Sequence, residues 1–148
     1  MAGQKKEVVV DSSVVVKWFS DESETDKAVQ LRDHHAKGMR QLWVADLLYY
    51  EVANALRYKS SYDNEKLGAA IKSLFMLHLN IGHVDENILQ NAAGIAYDGD
   101  VTLYDAIPVA LADARGTVCV TADEETQYKR LSGRGYPIVL LSKAIPFR

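Results

Sequence analysis

Residues 7–13 read EVVVDSS, a run of three valines that stops abruptly at an acid and two hydroxyls. Residues 8–10 have the composition of a buried β-strand, because β-branched side chains pack well on a pleated surface. A strand that is apolar on both faces is typical of a parallel sheet covered by helices. Asp11 is therefore expected at the carboxyl end of such a strand, where open α/β sheets place their functional sites.

The rest of the chain repeats this alternation of strands and helices. Apolar, turn-bounded segments predict further strands over residues 42–44, 118–120 and 138–141. Helical spacing predicts helices over residues 14–19, 24–37, 46–59, 64–79, 85–97, 105–114 and 123–131. Ser23 and Asp26 have capping-box spacing, and Gly38 supplies a helix end. The pattern predicts an α/β fold with three α/β/α layers around a mostly parallel sheet.

Length and composition are those of one domain. With 148 residues, 48% of them hydrophobic, the chain can bury a core without disulfides, and its only cysteine, Cys119, is interpreted as a core residue of a strand. We expect a single domain over residues 1–148, with residues 1–6 as a flexible arm. No apolar run approaches the roughly 20 residues that span a bilayer, so we expect a cytoplasmic protein without membrane attachment. The net charge of −3 leaves the class of partner open.

Four acids stand next to apolar residues. Asp11 and Asp123 each follow a predicted strand, and the topology of a parallel sheet can bring both to one edge. Glu51 and Asp105 lie in apolar helical segments, where a charged carboxylate is costly unless it is paired or bound to a metal. Oxygen ligands without a Cys–His cluster favour a hard ion such as Mg²⁺ or Mn²⁺.

Each of these acids also has a purely structural interpretation. Asp11 and Asp123 could be helix caps, since Asp is a preferred capping residue. Glu51 or Asp105 could form an internal ion pair with an arginine such as Arg57 or Arg115. Pro108 lies inside a helical stretch, so the helix either begins near residue 105 or is kinked.

Four segments occur in the order VVVDSSVVVKWF, EVANALRYK, LYDAIPVALA and VTAD. Together they resemble the PIN-domain family, and more narrowly the VapC-type toxins, which are the ribonucleases of toxin–antitoxin pairs. The resemblance implies a Mg²⁺- or Mn²⁺-dependent endoribonuclease. It assigns catalysis and metal binding to Asp11, Glu51, Asp105 and Asp123. Asp11 and Asp105 would be the direct ligands in this family, and Ser12 and Thr121 match hydroxyls that support the acids or position water.

The same resemblance implies three partners: an RNA substrate, an antitoxin protein and a second copy of the chain in a homodimer. Two other functions fit the sequence. A receiver-like phosphoacceptor module would use Asp46, which follows the predicted strand at residues 42–44. Alternatively, a PIN domain could serve in RNA maturation or as an RNA-binding module without catalysis.

Overall fold

The computed structural model describes residues 6–144. Within this range five strands form one sheet in the order β3-β2-β1-β4-β5, and every neighbouring pair is parallel. The strands are β1 (Lys6–Val10), β2 (Arg40–Ala45), β3 (Asn80–Gly82), β4 (Cys119–Thr121) and β5 (Ile138–Leu140). Most of the expected N-terminal arm lies outside the described residues, and Lys6 is the first residue of β1, opposite Arg40.

Helices cover both faces of this sheet. They are α1 (Ser12–Val15), α2 (Thr25–Ala36), α3 (Leu47–Arg57), α4 (Asn64–Met76), α5 (Glu86–Gly99), α6 (Leu103–Ala114), α7 (Lys129–Ser132) and α8 (Leu141–Ala144). A 3₁₀ turn, Val16–Trp18, continues α1, and a π-helical turn, Glu124–Tyr128, precedes α7. Among residues 6–144, no helix combines the length and apolar composition needed to cross a bilayer.

The opening strand divides the core between the two helical layers. Val8 and Val10 pack in a cluster with buried residues of α1 to α4, whereas Val9 packs in a second cluster with α5 and α6. Successive side chains of a strand point to opposite faces, so a run of three valines serves both layers. Cys119 is fully buried in the second cluster, as predicted. The predicted three-layer α/β/α fold is confirmed, and the sheet is parallel throughout.

Strand β3 was not predicted, because its three residues, NIG, carry no strand pattern of their own. The helix predicted over residues 64–79 ends at Met76, and His78 adopts a left-handed conformation with φ 50° before the chain enters β3. Gly82 allows α6 to pack closely against the end of β3. A Cβ atom there would lie 2.5 Å from Leu111 Cδ1 of α6.

Two local predictions about helix ends differ from the structure. The predicted capping box of Ser23 and Asp26 is wrong. The N-cap of α2 is Glu24, which has a left-handed conformation with φ 62° and makes no side-chain capping hydrogen bond. The Ser23 carbonyl instead accepts a hydrogen bond from Lys17 Nζ at 2.7 Å. Gly38, with φ 73°, follows the end of α2 as predicted.

Helix α6 begins at Leu103, two residues before Asp105, so Pro108 lies inside the helix and beyond its first turn. Thr102 is the N-cap, and its Oγ1 accepts a hydrogen bond from the Asp105 N–H at 3.1 Å. Proline has no N–H, and it therefore cannot donate to the carbonyl of Tyr104 four residues earlier. The turn of α6 that carries Asp105 thus lacks one helical hydrogen bond.

Candidate functional site

The pairing of β1 with β4 brings the ends of two strands side by side. Val10 is in register with Val120, and the Asp11 N–H donates to the Val120 carbonyl at 3.2 Å. Asp11 therefore lies beside Thr121 at the end of the sheet. Asp123 follows Thr121 by two residues. The edge at which these residues meet is the carboxyl end of the parallel strands, as the topology rule predicts.

Asp11 is both a helix cap and a buried acid. Its Oδ1 accepts hydrogen bonds from the Ser13 N–H at 3.1 Å and from Ser13 Oγ at 2.5 Å, which caps α1. Only 6% of Asp11 is exposed, and burial raises the pKa of its carboxyl to about 6. The Ser13 hydrogen bond opposes this rise, and the negative charge of Asp105 adds to it. Capping alone does not require a carboxylate that is so poorly solvated.

Two adjacent cavities meet at Asp11. The larger, about 340 Å³, is lined by Asp11, Asp105 and Asp123, together with Lys17 and Gln127. The smaller, about 10 Å³, is lined by Asp11 and Glu51, with Tyr104 and Pro108 among its other residues. The structure therefore brings Asp11, Asp105 and Asp123 to one cavity and places Glu51 on the other side of Asp11.

Glu51 projects from α3 and is half-buried. Burial raises the pKa of its carboxyl to about 7, and the charges of Asp11 and Asp105 add to the shift. The ion pairs considered from the sequence do not form within residues 6–144. Arg115 pairs with Glu7 at 3.0 Å, and Arg57 lies over the ring of Tyr58.

Asp105 lies in α6 and Asp123 lies at the start of the π-helical turn, and the charges of these two carboxylates repel each other. Burial raises the pKa of Asp105 and the charge of Asp123 adds to the rise, whereas the Thr102 hydrogen bond and the charge of Arg130 oppose it. Asp123 caps its turn: Oδ1 accepts from the Thr126 N–H at 3.1 Å and Oδ2 from the Gln127 N–H at 3.4 Å. Asp123, like Asp11, combines the capping role with a place in the acidic cavity.

The hydroxyl that bonds Asp11 belongs to Ser13, whereas Ser12 was the serine predicted from the sequence. Ser13 Oγ also accepts from the Ala122 N–H at 2.9 Å and lies 3.3 Å from Thr121 Oγ1. Ser12 lines both cavities without a side-chain hydrogen bond to the acids in the described part of the chain. The sequence contained a signal for Ser13, since a capping Asp accepts from the residue two or three positions later.

Gln127 was also not identified from the sequence as a residue of this site. It lies in the charged run DEETQYKRL, which predicts an exposed helix, yet it is 2% exposed. Its Oε1 accepts from Thr121 Oγ1 at 3.0 Å, and its Nε2 donates to the Asp105 carbonyl at 2.9 Å. Thr121 Oγ1 also accepts from the Asp123 N–H at 3.0 Å. The side chains of Thr121 and Gln127 thus connect the end of β4 to α6.

The donor set suits a hard divalent cation. Asp11, Glu51 and Asp105 are neighbouring carboxylates with raised pKa values, and a cation would remove the repulsion between them. Within residues 6–144, no three His, Cys, Asp or Glu side chains are arranged to hold one ion together. This is compatible with Mg²⁺, which usually takes only one or two carboxylates and completes its shell with water and substrate phosphate.

The receiver-like alternative is wrong. Receivers share the flavodoxin-like strand order 2-1-3-4-5, whereas the order here is 3-2-1-4-5. Asp46, the acceptor that this alternative requires, is an exposed residue that caps α3 through a 2.9 Å bond from the Leu47 N–H. It lines neither of the two cavities at Asp11.

Comparison with solved structures shows the same fold in other proteins. VapBC from Salmonella typhimurium, bound to DNA, is 15% identical with a TM-score of 0.68, and the match covers 92% of this chain and 98% of that one. PAE2754 from Pyrobaculum aerophilum is 21% identical with a TM-score of 0.63, covering 93% and 91%. VapC20 from Mycobacterium tuberculosis, described as a sarcin–ricin loop cleaving toxin, is 15% identical with a TM-score of 0.65, covering 87% and 95%.

A search of curated protein sequences finds no match. The model of the PIN domain matches residues 8–133, a range that begins within β1 and ends just after α7. It includes all four acids at the carboxyl edge of the sheet. The resemblance inferred from the sequence is therefore confirmed, and the chain belongs to the PIN-domain family.

Proposed function

We propose that this protein is a Mg²⁺- or Mn²⁺-dependent endoribonuclease and the toxin of a toxin–antitoxin pair, acting in the cytoplasm. The observation that carries the proposal is the buried Asp11 carboxylate at the end of β1, in a cavity that it shares with Asp105 and Asp123. The fold supports it as well, because VapC20, with a similar fold, is described as a toxin that cleaves the sarcin–ricin loop.

In the proposed site Asp11 and Asp105 would hold the divalent ion, and Glu51 and Asp123 would complete the acidic set. When bound there, a divalent ion would supply Lewis-acid chemistry, which can polarise a phosphodiester and lower the pKa of water. Ser13 holds the Asp11 carboxylate in place through two hydrogen bonds to Oδ1. Without the ion, burial and the charges of Asp11 and Asp105 raise the pKa of Glu51 to about 7, so this carboxyl gains most from a nearby cation.

Lys17 adds a positive charge to the wall of the larger cavity. Its Nζ donates to the Ser23 carbonyl at 2.7 Å and lies 3.9 Å from Glu22 Oε1. A lysine ammonium is a point charge that suits a phosphate oxygen. Lys17 is buried and its ammonium is already bonded, so we assign it to raising the positive potential of this cavity wall, which attracts a phosphate group.

The test is cleavage of a panel of structured and single-stranded RNAs with and without Mg²⁺ or Mn²⁺. We expect the wild type to cleave in the presence of metal, and EDTA or Asp11→Asn to abolish cleavage. Asp63→Asn is the matched control, because Asp63 is an exposed cap of α4 that bonds the Lys66 N–H at 2.8 Å. Equal cleavage by wild type and Asp11→Asn would refute the proposal. RNA binding without cleavage by any variant would replace it with the RNA-binding module.

We also propose that the chain binds an antitoxin protein and forms a homodimer. VapBC and FitAB, the latter also seen bound to a DNA fragment, are similar structures of this fold. Large apolar side chains available for such contacts include Tyr50, Phe75, Met76 and Tyr97, which are exposed. Co-expression with a small neighbouring reading frame should give a co-purifying complex in which RNA cleavage is suppressed. Light scattering of the chain alone should give twice the mass of one chain, and a monomer would refute the dimer.

A further inference from the structure

The turn of α6 that carries Asp105 has an internal weakness. Pro108 lies three residues after Asp105, inside the helix and buried. Because proline has no N–H, position 108 cannot donate to the Tyr104 carbonyl, which neighbours Asp105 in the chain. A helix that loses a bond at this point has more freedom to bend. The acid that we assign to metal binding therefore stands in the turn of α6 that lacks this helical hydrogen bond.

A buried side chain from another element supports this turn. Gln127 comes from the π-helical turn, in which the Tyr128 N–H donates to the Asp123 carbonyl at 3.0 Å, a spacing of five residues. Its Nε2 donates to the Asp105 carbonyl at 2.9 Å, and its Oε1 accepts from Thr121 Oγ1 at 3.0 Å. Single π-helical turns of this kind are frequent at functional sites.

Gln127 also forms a hydrogen bond with Asp123. The Gln127 N–H donates to Asp123 Oδ2 at 3.4 Å, and Thr121 Oγ1 accepts from the Asp123 N–H at 3.0 Å. Gln127 thus bonds the backbone of Asp105 through its side chain and the carboxylate of Asp123 through its main chain. An uncharged amide can link two mutually repelling acids without adding another charge, and its hydrogen bonds do not change with pH.

We infer that Gln127 is a positioning residue, which holds the Asp105 turn of α6, one helical hydrogen bond short because of Pro108, against the end of β4. This inference rests on the proposed function, since it assigns Asp105 and Asp123 to one metal-dependent site. A buried side chain with both polar ends bonded has few alternative positions. Gln127 therefore fixes the place of the Asp105 turn relative to Asp123, because it bonds both residues.

Two variants separate the parts of the link. Gln127→Met keeps the length of the side chain and removes both of its side-chain hydrogen bonds. Gln127→Glu keeps an acceptor for Thr121 but presents an oxygen to the Asp105 carbonyl. The direct readout is Mn²⁺ binding to the protein by calorimetry, with RNA cleavage measured at saturating Mn²⁺ as a second readout.

We expect Gln127→Met to weaken Mn²⁺ binding by about 10-fold or more, the range seen when groups that orient metal ligands are removed. Gln127→Glu should lose less, because its added negative charge attracts the cation. Cleavage at saturating Mn²⁺ should fall less than metal affinity does. Ile138→Val is the control for lost stability, because Ile138 is buried in β5 and lines neither acidic cavity. It should leave Mn²⁺ affinity unchanged. Unchanged affinity in both Gln127 variants would overturn the inference.

Pro108→Ala tests the link to the proline. It restores an N–H that can donate to the Tyr104 carbonyl, so the Asp105 turn should depend less on Gln127. We expect the loss of Mn²⁺ affinity caused by Gln127→Met to shrink by about threefold or more in the Pro108→Ala background, as residues acting on one element are coupled. An equal loss in both backgrounds would overturn the part assigned to Pro108.

The outcomes also separate this inference from the proposed function. If the wild type binds Mn²⁺ and cleaves RNA, and Asp11→Asn does neither, then unchanged Gln127 variants overturn the positioning role alone. If the wild type binds no Mn²⁺, the proposed function and this inference both fail.

Discussion

Asp11→Asn is expected to stabilise the metal-free protein at pH 8, although it removes a side chain of the proposed active site. The pKa of Asp11 is raised from 3.8 to about 6, chiefly by burial. A carboxyl group whose pKa is higher in the folded than in the unfolded state destabilises the fold above the folded pKa. Each pKa unit corresponds to about 1.4 kcal/mol, so the ionised Asp11 carboxylate costs about 3 kcal/mol of folding free energy at pH 8.

Asparagine removes this cost with little other change. Its side-chain oxygen can accept the two hydrogen bonds that Asp11 Oδ1 accepts from Ser13, so the cap of α1 remains. Removal of the Asp11 charge also removes part of the repulsion that raises the pKa of Glu51. For a protein of this size, about 3 kcal/mol corresponds to a rise of about 6–12 °C in Tm.

The measurement is thermal unfolding in EDTA at pH 8 and pH 5. pH 5 lies between the unfolded pKa of 3.8 and the folded pKa of about 6, so about half of the cost remains and the gain from asparagine should fall to about 1.5 kcal/mol. Asp63→Asn, at an exposed helix cap, should change stability by less than about 0.5 kcal/mol at both pH values. A Tm of Asp11→Asn at or below that of the wild type at pH 8, or an equal gain at pH 5, would refute the reasoning.

Three further predictions follow from the same site and its supports. Adding Mg²⁺ should raise the Tm of the wild type more at pH 8 than at pH 5 and should leave Asp11→Asn unchanged; a metal effect that is independent of pH would contradict the site. Ser13→Ala should cost about 1–3 kcal/mol in urea unfolding, because it leaves a main-chain N–H without its acceptor, whereas Ser12→Ala should cost less than about 0.5 kcal/mol; equal losses would contradict this. Gly82→Ala should cost about 1–3 kcal/mol, since its Cβ would meet Leu111, and an unchanged denaturation midpoint would show that Leu111 can move aside.

Features with a strong local pattern were predictable from the sequence. The valines of β1 form a strand because their branched side chains fill both faces of the sheet, and this is visible in the residues themselves. Most predicted helices match within a few residues for the same reason, since apolar spacing records which face is buried. The exposed charges around Gln127 hid its burial, because they mark a solvated face whereas one inward residue leaves no periodic trace.

The sequence by itself determined the alternation of strands and helices, the apolar surroundings of four acids and the resemblance to PIN domains. The tertiary structure alone decided what depends on distant segments meeting. Strand β3 exists because its main chain pairs with β2, and Ser13 and Gln127 acquire their roles because β1, β4 and α6 converge at one edge of the sheet. Local preference cannot specify such contacts, since each hydrogen bond joins residues far apart in the chain.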